Sequence, residues 1–194
     1  MNTDVNSGMS RKDFLRGFLS GLASEFRDVC TEASKLPEPV FLPPGSRSWS
    51  HLRAHCTQCG ECVSVCPHEA LRITWDKGEV CEGLPGIHAG ITACMECEGR
   101  PCIEACTSGA LDPGVTGARG LTLVIDTNRC LAHQDQFCMS CVNQCPSESQ
   151  ALTMNSTGHP EWNQDNCSGC GICVQACPAP GGAFTVNYRE EECP

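Results

Sequence analysis

Apolar residues recur every four positions near the start of the chain, at Phe14, Phe18, Leu22 and Phe26, and Leu15 and Leu19 widen the stripe. That spacing follows the turn of an α-helix. Ser10 stands where a cap is wanted, with Asp13 three residues on as its reciprocal partner. The pattern predicts an amphipathic helix of about 15 residues within an N-terminal segment spanning 1–34. Its stripe either packs on the rest of the chain or docks on a partner protein or a membrane surface. Residues 1–9 carry no such pattern and are expected to be disordered. Residues 35–50 hold Pro37, Pro39, Pro43, Pro44 and Gly45 and read as an extended Pro-rich linker. Beyond it the apolar runs are short and strand-like: Leu71–Trp75, Leu121–Ile125, Leu152–Met154 and Ala183–Val186, each too short to form a sheet alone. No run approaches the roughly 20 apolar residues that cross a bilayer. The chain is therefore expected to be soluble or surface-bound, with peripheral contact to a membrane complex still open.

Composition alters this picture. Cysteine accounts for 19 of the 194 residues while aromatics make up only 5%. So few large side chains cannot fill a sizeable core, and disulfides or metal sites must supply part of the stability. The formal net charge is −10. That balance argues against nucleic acid, whose phosphates need Lys and Arg. It suits a basic docking surface on a redox partner, or solubility alone.

The cysteines are periodic. Four groups begin at Cys56, Cys94, Cys130 and Cys167, a spacing of about 37 residues, as if one supersecondary unit were used four times. The first reads Cys56-x2-Cys59-x2-Cys62-x3-Cys66-Pro67 and the fourth Cys167-x2-Cys170-x2-Cys173-x3-Cys177-Pro178. Both match the C-x2-C-x2-C-x3-C-P run of [4Fe–4S] sites. The third lengthens its first spacer, Cys130-x7-Cys138-x2-Cys141-x3-Cys145-Pro146; the second is Cys94-x2-Cys97-x4-Cys102-x3-Cys106, followed by Thr107 instead of proline. Three thiolates must converge on one face of a small iron–sulfide cube, and two-residue gaps let a tight loop wrap it. Gly60 and Gly171, just after the second cysteine of their groups, suit that turn. The fourth cysteine is expected to start a helical turn facing away and to serve a different cluster. Structural zinc takes four ligands, usually as two separated pairs, and a disulfide scaffold does not use these spacings. Four [4Fe–4S] clusters on these sixteen cysteines is the resulting expectation. Cys30, Cys81 and Cys193 lie outside the motifs and are taken as non-ligands. Pairing stays open between sequential (first group with second, third with fourth) and nested (first with fourth, second with third).

Nothing marks a substrate site. Gly114-x2-Gly117-x2-Gly120 lacks the spacing of a phosphate loop, and the six histidines are scattered; His133, in the long third spacer, reads as an exposed loop residue. No nucleophile–base set or carboxylate pair stands out. The chain is not expected to be an enzyme.

These residues carry a resemblance. Residues 41–187 resemble the NapF- and NapG-type ferredoxins associated with periplasmic nitrate reductase, and the wider group of four-cluster polyferredoxins. The matching pieces are Leu42-Pro43-Pro44-Gly45 before the first group, Cys94-Met95-Glu96-Cys97 with Pro101-Cys102 in the second, and Cys138-x-Ser140-Cys141 in the third. The resemblance implies electron relay to or from a partner oxidoreductase, for instance a molybdoenzyme such as periplasmic nitrate reductase. The alternative is an accessory role in maturing such an enzyme. NapF-type proteins are cytoplasmic; NapG-type proteins are exported. Ser10-Arg11-Lys12-Asp13-Phe14-Leu15-Arg16 resembles a twin-arginine signal whose second arginine is replaced by Lys12, which favours a cytoplasmic address over periplasmic export. The fold expected is α+β: two ferredoxin-like modules over 51–194, each with two clusters, preceded by the N-terminal helix and the linker.

Overall fold

The computed structural model describes residues 40–74, 82–117, 121–146 and 150–188, which belong to one compact unit covering 38–194. The helix expected over 10–26, Trp75, and the cysteines Cys30, Cys81 and Cys193 lie outside the described residues. The architecture mixes helix and strand. Three small antiparallel sheets are present among the described residues. In the first, β1 (Val40–Phe41) and β2 (Leu71–Ile73) flank β3 (Pro85–His88). In the second, β4 (Leu121–Ile125) pairs with the distant β7 (Phe184–Tyr188), Leu121 opposite Tyr188 and Ile125 opposite Phe184. The third is the hairpin of β5 (Leu152–Met154) and β6 (Pro160–Trp162).

Strand runs read from apolar pattern recur closely: β4 and β5 keep their expected bounds, β2 ends at Ile73, and β7 runs to Tyr188. In β4 the pattern alternates, with Leu121 and Leu123 buried and Thr122 and Val124 exposed, so one face of this strand meets the core.

Residues 40–50, read from the sequence as linker, are packed into the fold. Phe41 and Trp49 are buried, and the Pro43-Pro44-Gly45 turn is pinned by Asp112, whose N–H donates to the Gly45 carbonyl at 2.8 Å. Proline and glycine here shape a turn between β1 and the first helix, α1 (Trp49–His55), rather than a free spacer. Ser48 caps α1 by accepting the His51 N–H at 3.0 Å, and α1 turns Trp49 and Leu52 inward.

The other helices are single turns: α2 (Glu61–Ser64), α3 (Pro101–Glu104), α4 (Ser140–Gln144) and α5 (Ile172–Gln175). Segments this short do not hold helical form alone. They pack in pairs, α2 with α3 and α4 with α5. The main core gathers Phe41, Trp49, Leu52, Leu71 and Ile87 with Leu121 and Leu123 from β4. Tyr188 closes it from the C-terminal side: its hydroxyl donates to the Val40 carbonyl at 2.6 Å, and its ring meets Trp49 edge-on at 5.7 Å. A second, smaller core holds Cys130, Ala132, Ala179 and Ala183.

Candidate metal centre

Each cysteine group is a loop leading into one helical turn. In three of the groups the residue two after the first cysteine, Gln58, Glu96 or Gly169, takes a left-handed backbone with φ of +57°, +48° or +79°. This bend turns its N–H back onto the preceding sulfur. Gln58 N–H donates to Cys56 Sγ at 3.4 Å, and the N–H groups of Glu96 and Gly169 hold the Cys94 and Cys167 thiols in the same way. Gly60 and Gly171 follow the second cysteine at φ +78° each and open α2 and α5, as their place in the sequence suggests. The αL bends at Gln58 and Glu96 escape sequence reading, because only the fourth group has glycine at that position.

The fourth cysteine of each group does not start a helical turn. Cys66, Cys106, Cys145 and Cys177 each follow the end of one. Where proline comes next, it pushes the preceding residue out of the helical region, and Cys145 accordingly takes φ −62°, ψ 129°. The chain thus leaves the loop just where the fourth thiol can reach across to a neighbouring group.

That reach decides which thiols meet. Cys56, Cys59 and Cys62 share a cavity with Cys106. Cys94, Cys97 and Cys102 share one with Cys66, and Cys170 of the fourth group reaches the same cavity. Cys167, Cys170 and Cys173 share one with Cys145. Cys141 is flanked by Cys130, Cys138 and Cys177. The sixteen cysteines picked out by spacing thus gather in four neighbourhoods, in each of which three thiols of one group lie near the fourth of another, first with second and third with fourth. Among the described residues no group of three or more His, Cys, Asp or Glu side chains stands close enough to hold a single metal ion. Thiol quartets ringing cavities, with N–H groups aimed at the sulfurs, fit a polynuclear iron–sulfide core.

Electrostatics agree with that geometry. Burial, followed by the thiols of Cys56, Cys106, Cys102 and Cys59, pushes Cys62 up to about 11. Burial pushes Cys94 up to about 12, against the pull of the Glu96 N–H. Burial and the Cys130, Cys138 and Cys177 thiols take Cys141 up to about 11. Cys173 rises for the same reason, burial first and then the thiols of Cys170, Cys167, Cys141 and Cys145. Cys106 is the exception. Its burial is outweighed by the Ser108 hydroxyl and the N–H groups of Leu111, Ser108 and Ala110, and its thiol falls below the ordinary value. Burial first, and neighbouring thiols second, disfavour free thiolates at Cys62, Cys141 and Cys173, and a bound metal core would supply the compensating positive charge.

The second and fourth quartets adjoin. Cys94 N–H donates to the Cys170 carbonyl at 2.8 Å. Gln175, on α5, accepts from Ala93 N–H at 3.2 Å and donates to the Ile91 carbonyl at 3.4 Å, clasping the loop before Cys94. The long third spacer folds into a 3-10 turn, Leu131–Gln134, closed by Asp135 at φ +56°, and leaves Phe137 94% exposed beside Cys138. His133 is not an exposed loop residue: it is half-buried and stacks on His159 with centroids 4.2 Å apart.

The 4Fe-4S dicluster domain model matches residues 122–178, and the 4Fe-4S binding domain model matches residues 53–72. The methylamine utilization ferredoxin-type protein MauM of Methylorubrum extorquens is 32% identical over 183 residues, 89% of this chain and 82% of the relative. The ferredoxin-type protein NapF of Haemophilus influenzae is 32% identical over 190 residues, 92% of this chain and 94% of the relative. The chain belongs to the ferredoxin-type proteins. The ferredoxin-type protein NapG of Escherichia coli is a further relative, 33% identical over 145 residues, 68% of this chain and 63% of the relative. No solved structure matches the ferredoxin-type chain. Membership makes it a [4Fe–4S]-binding electron carrier with repeated cysteine motifs, and not an enzyme. The dicluster match spans Cys130 to Cys177, the third and fourth groups that exchange thiols.

Proposed function

We propose that this ferredoxin-type chain carries four [4Fe–4S] clusters in two modules, and that it relays single electrons to or from a partner oxidoreductase. The observation that carries the reading is the sorting of sixteen thiols into four quartets. Cys56, Cys59, Cys62 and Cys106 would hold one cluster and Cys94, Cys97, Cys102 and Cys66 the second. Cys130, Cys138, Cys141 and Cys177 would hold the third, and Cys167, Cys170, Cys173 and Cys145 the fourth. When bound, such a cluster supplies a site that gains or loses one electron, at a potential set by hydrogen bonds to its sulfurs and by exposure. The residues around it supply that setting: N–H groups at Gln58, Glu96 and Gly169 and the Ser108 hydroxyl at Cys106. The Cys94–Cys170 contact and the Gln175 clasp support continuity between the two modules.

The partner is read from charge and kinship. A net charge of −10 suits a basic docking face. Relatives named for methylamine utilization and for the Nap group point to a redox enzyme system, a molybdoenzyme such as periplasmic nitrate reductase being one candidate. An accessory role would call on the helix expected over 10–26, which lies outside the described residues. A cytoplasmic address rests on Lys12 alone and is tested by fractionating the cells that make the protein.

Iron and sulfide analysis after anaerobic purification tests the core claim. About sixteen iron atoms per chain are expected from four cubes of four; eight or fewer would defeat it. Cys170→Ser should remove or convert one cluster and leave the first quartet intact, and an unchanged electron paramagnetic resonance spectrum would mean that the fourth quartet is misassigned.

A further inference from the structure

Trp162 stands at the end of β6, opposite Leu152, and lines the same cavity as Cys145, Cys167, Cys170 and Cys173. Its Nε1 is buried and makes no hydrogen bond of ordinary geometry, and the sulfur it faces is that of Cys167. A buried indole N–H ordinarily finds an acceptor, because leaving it bare forfeits its hydration with nothing in return. Among the described side chains that line the cavity, the acceptors are the Ser168 hydroxyl and four cysteine sulfurs. A neutral thiol is a weak acceptor; a metal-bound thiolate is anionic and a far better one.

We propose that the Trp162 indole N–H is the donor to the Cys167 thiolate when the fourth quartet is loaded, and that it holds the reduction potential of that one cluster above the value its thiolates alone would give. The proposal rests on the four-cluster reading. Reduction adds one electron to the cluster and sulfur ligands, drawn from whichever donor titrates it, and makes them more negative. A donor fixed at the sulfur therefore favours the reduced form. A purely packing role for the ring would not need the nitrogen.

Trp162→Phe separates the two, since it keeps most of the ring and removes the donor. Both proteins are purified anaerobically, assayed for iron and sulfide, and titrated by electron paramagnetic resonance against potential. The expected result is parental iron content with one midpoint moved negative and the others in place. Parental iron with every midpoint unmoved would overturn the inference. Should Trp162→Phe lose iron, the parent protein labelled with 15N at its indole nitrogens decides. Pulsed resonance of the reduced state should detect an indole nitrogen coupled to a cluster, and no coupling would overturn the inference equally. A parent that binds too little iron fails at the four-cluster reading instead, so the two failures are distinct.

Discussion

Gly60 and Gly171 occupy matching places in the first and fourth groups and share a backbone torsion, φ +78°. Their surroundings differ. A Cβ at Gly60 would meet nothing within 4 Å, whereas one at Gly171 would stand 2.6 Å from Ala89 Cβ and 3.4 Å from Phe41 Cδ2. Gly60→Ala therefore pays only the left-handed backbone, about 1 kcal/mol. Gly171→Ala adds overpacking, typically about 1–3 kcal/mol, and it does so where Cys170 meets Cys94. Because loss of iron makes unfolding irreversible, the useful measurement is a rate. On heating, the visible cluster absorbance of Gly171→Ala should bleach several-fold faster than that of Gly60→Ala. Equal rates would mean that Ala89 does not press on this loop. The same pair marks the limit of reading single residues: a glycine after the second cysteine signals a turn, but nothing in the local sequence reports that Ala89, some eighty positions earlier, closes over one of them.

At the level of elements, the legible parts are those whose signal is local. β4 and β5 are visible as apolar runs, and the cysteine groups as spacings. β3 is not visible, because Pro85 and Gly86 argue against a strand. Glycine is needed there since a Cβ would stand 2.6 Å from Val40 Cγ1 as β1 passes. β6 hides behind its leading Pro160, and β1 behind the prolines that follow it. Pairing is a property of tertiary approach, so spacing leaves sequential and nested arrangements equally open. The packing of α2 on α3 and of α4 on α5 fits the sequential one, which is the pairing proposed above. This carries a direct prediction. Cys106→Ala should abolish or convert the same cluster signal as Cys59→Ala, although Cys106 lies in the second group. Cys66→Ala should match Cys97→Ala. The comparison is made by electron paramagnetic resonance of the reduced variants. If Cys66→Ala instead altered the signal lost in Cys170→Ala, the nested exchange would hold.

Across the whole molecule, stability is unevenly shared between side chains and metal. The core around Phe41, Trp49, Leu52 and Ile87 buries large apolar groups, worth about 1.5–3 kcal/mol each when fully buried. The core beside the third quartet contains no side chain larger than cysteine: Cys130, Ala132, Ala179 and Ala183, with Ile125 and Leu131 only partly buried against it. On the four-cluster reading, little but the cluster would hold that region together, and its folding would be coupled to metal more tightly than that of the rest. Removing iron with a chelator under anaerobic conditions, followed by hydrogen–deuterium exchange, should expose the gradient. Amides around 130–145 and 177–183 are expected to lose protection first. Those of α1 and of the β1–β3–β2 sheet should keep part of theirs, since local openings follow local burial. Simultaneous loss everywhere would mean that the Phe41–Ile87 core cannot persist without its own two quartets, and that the chain folds around its metal as a single cooperative unit.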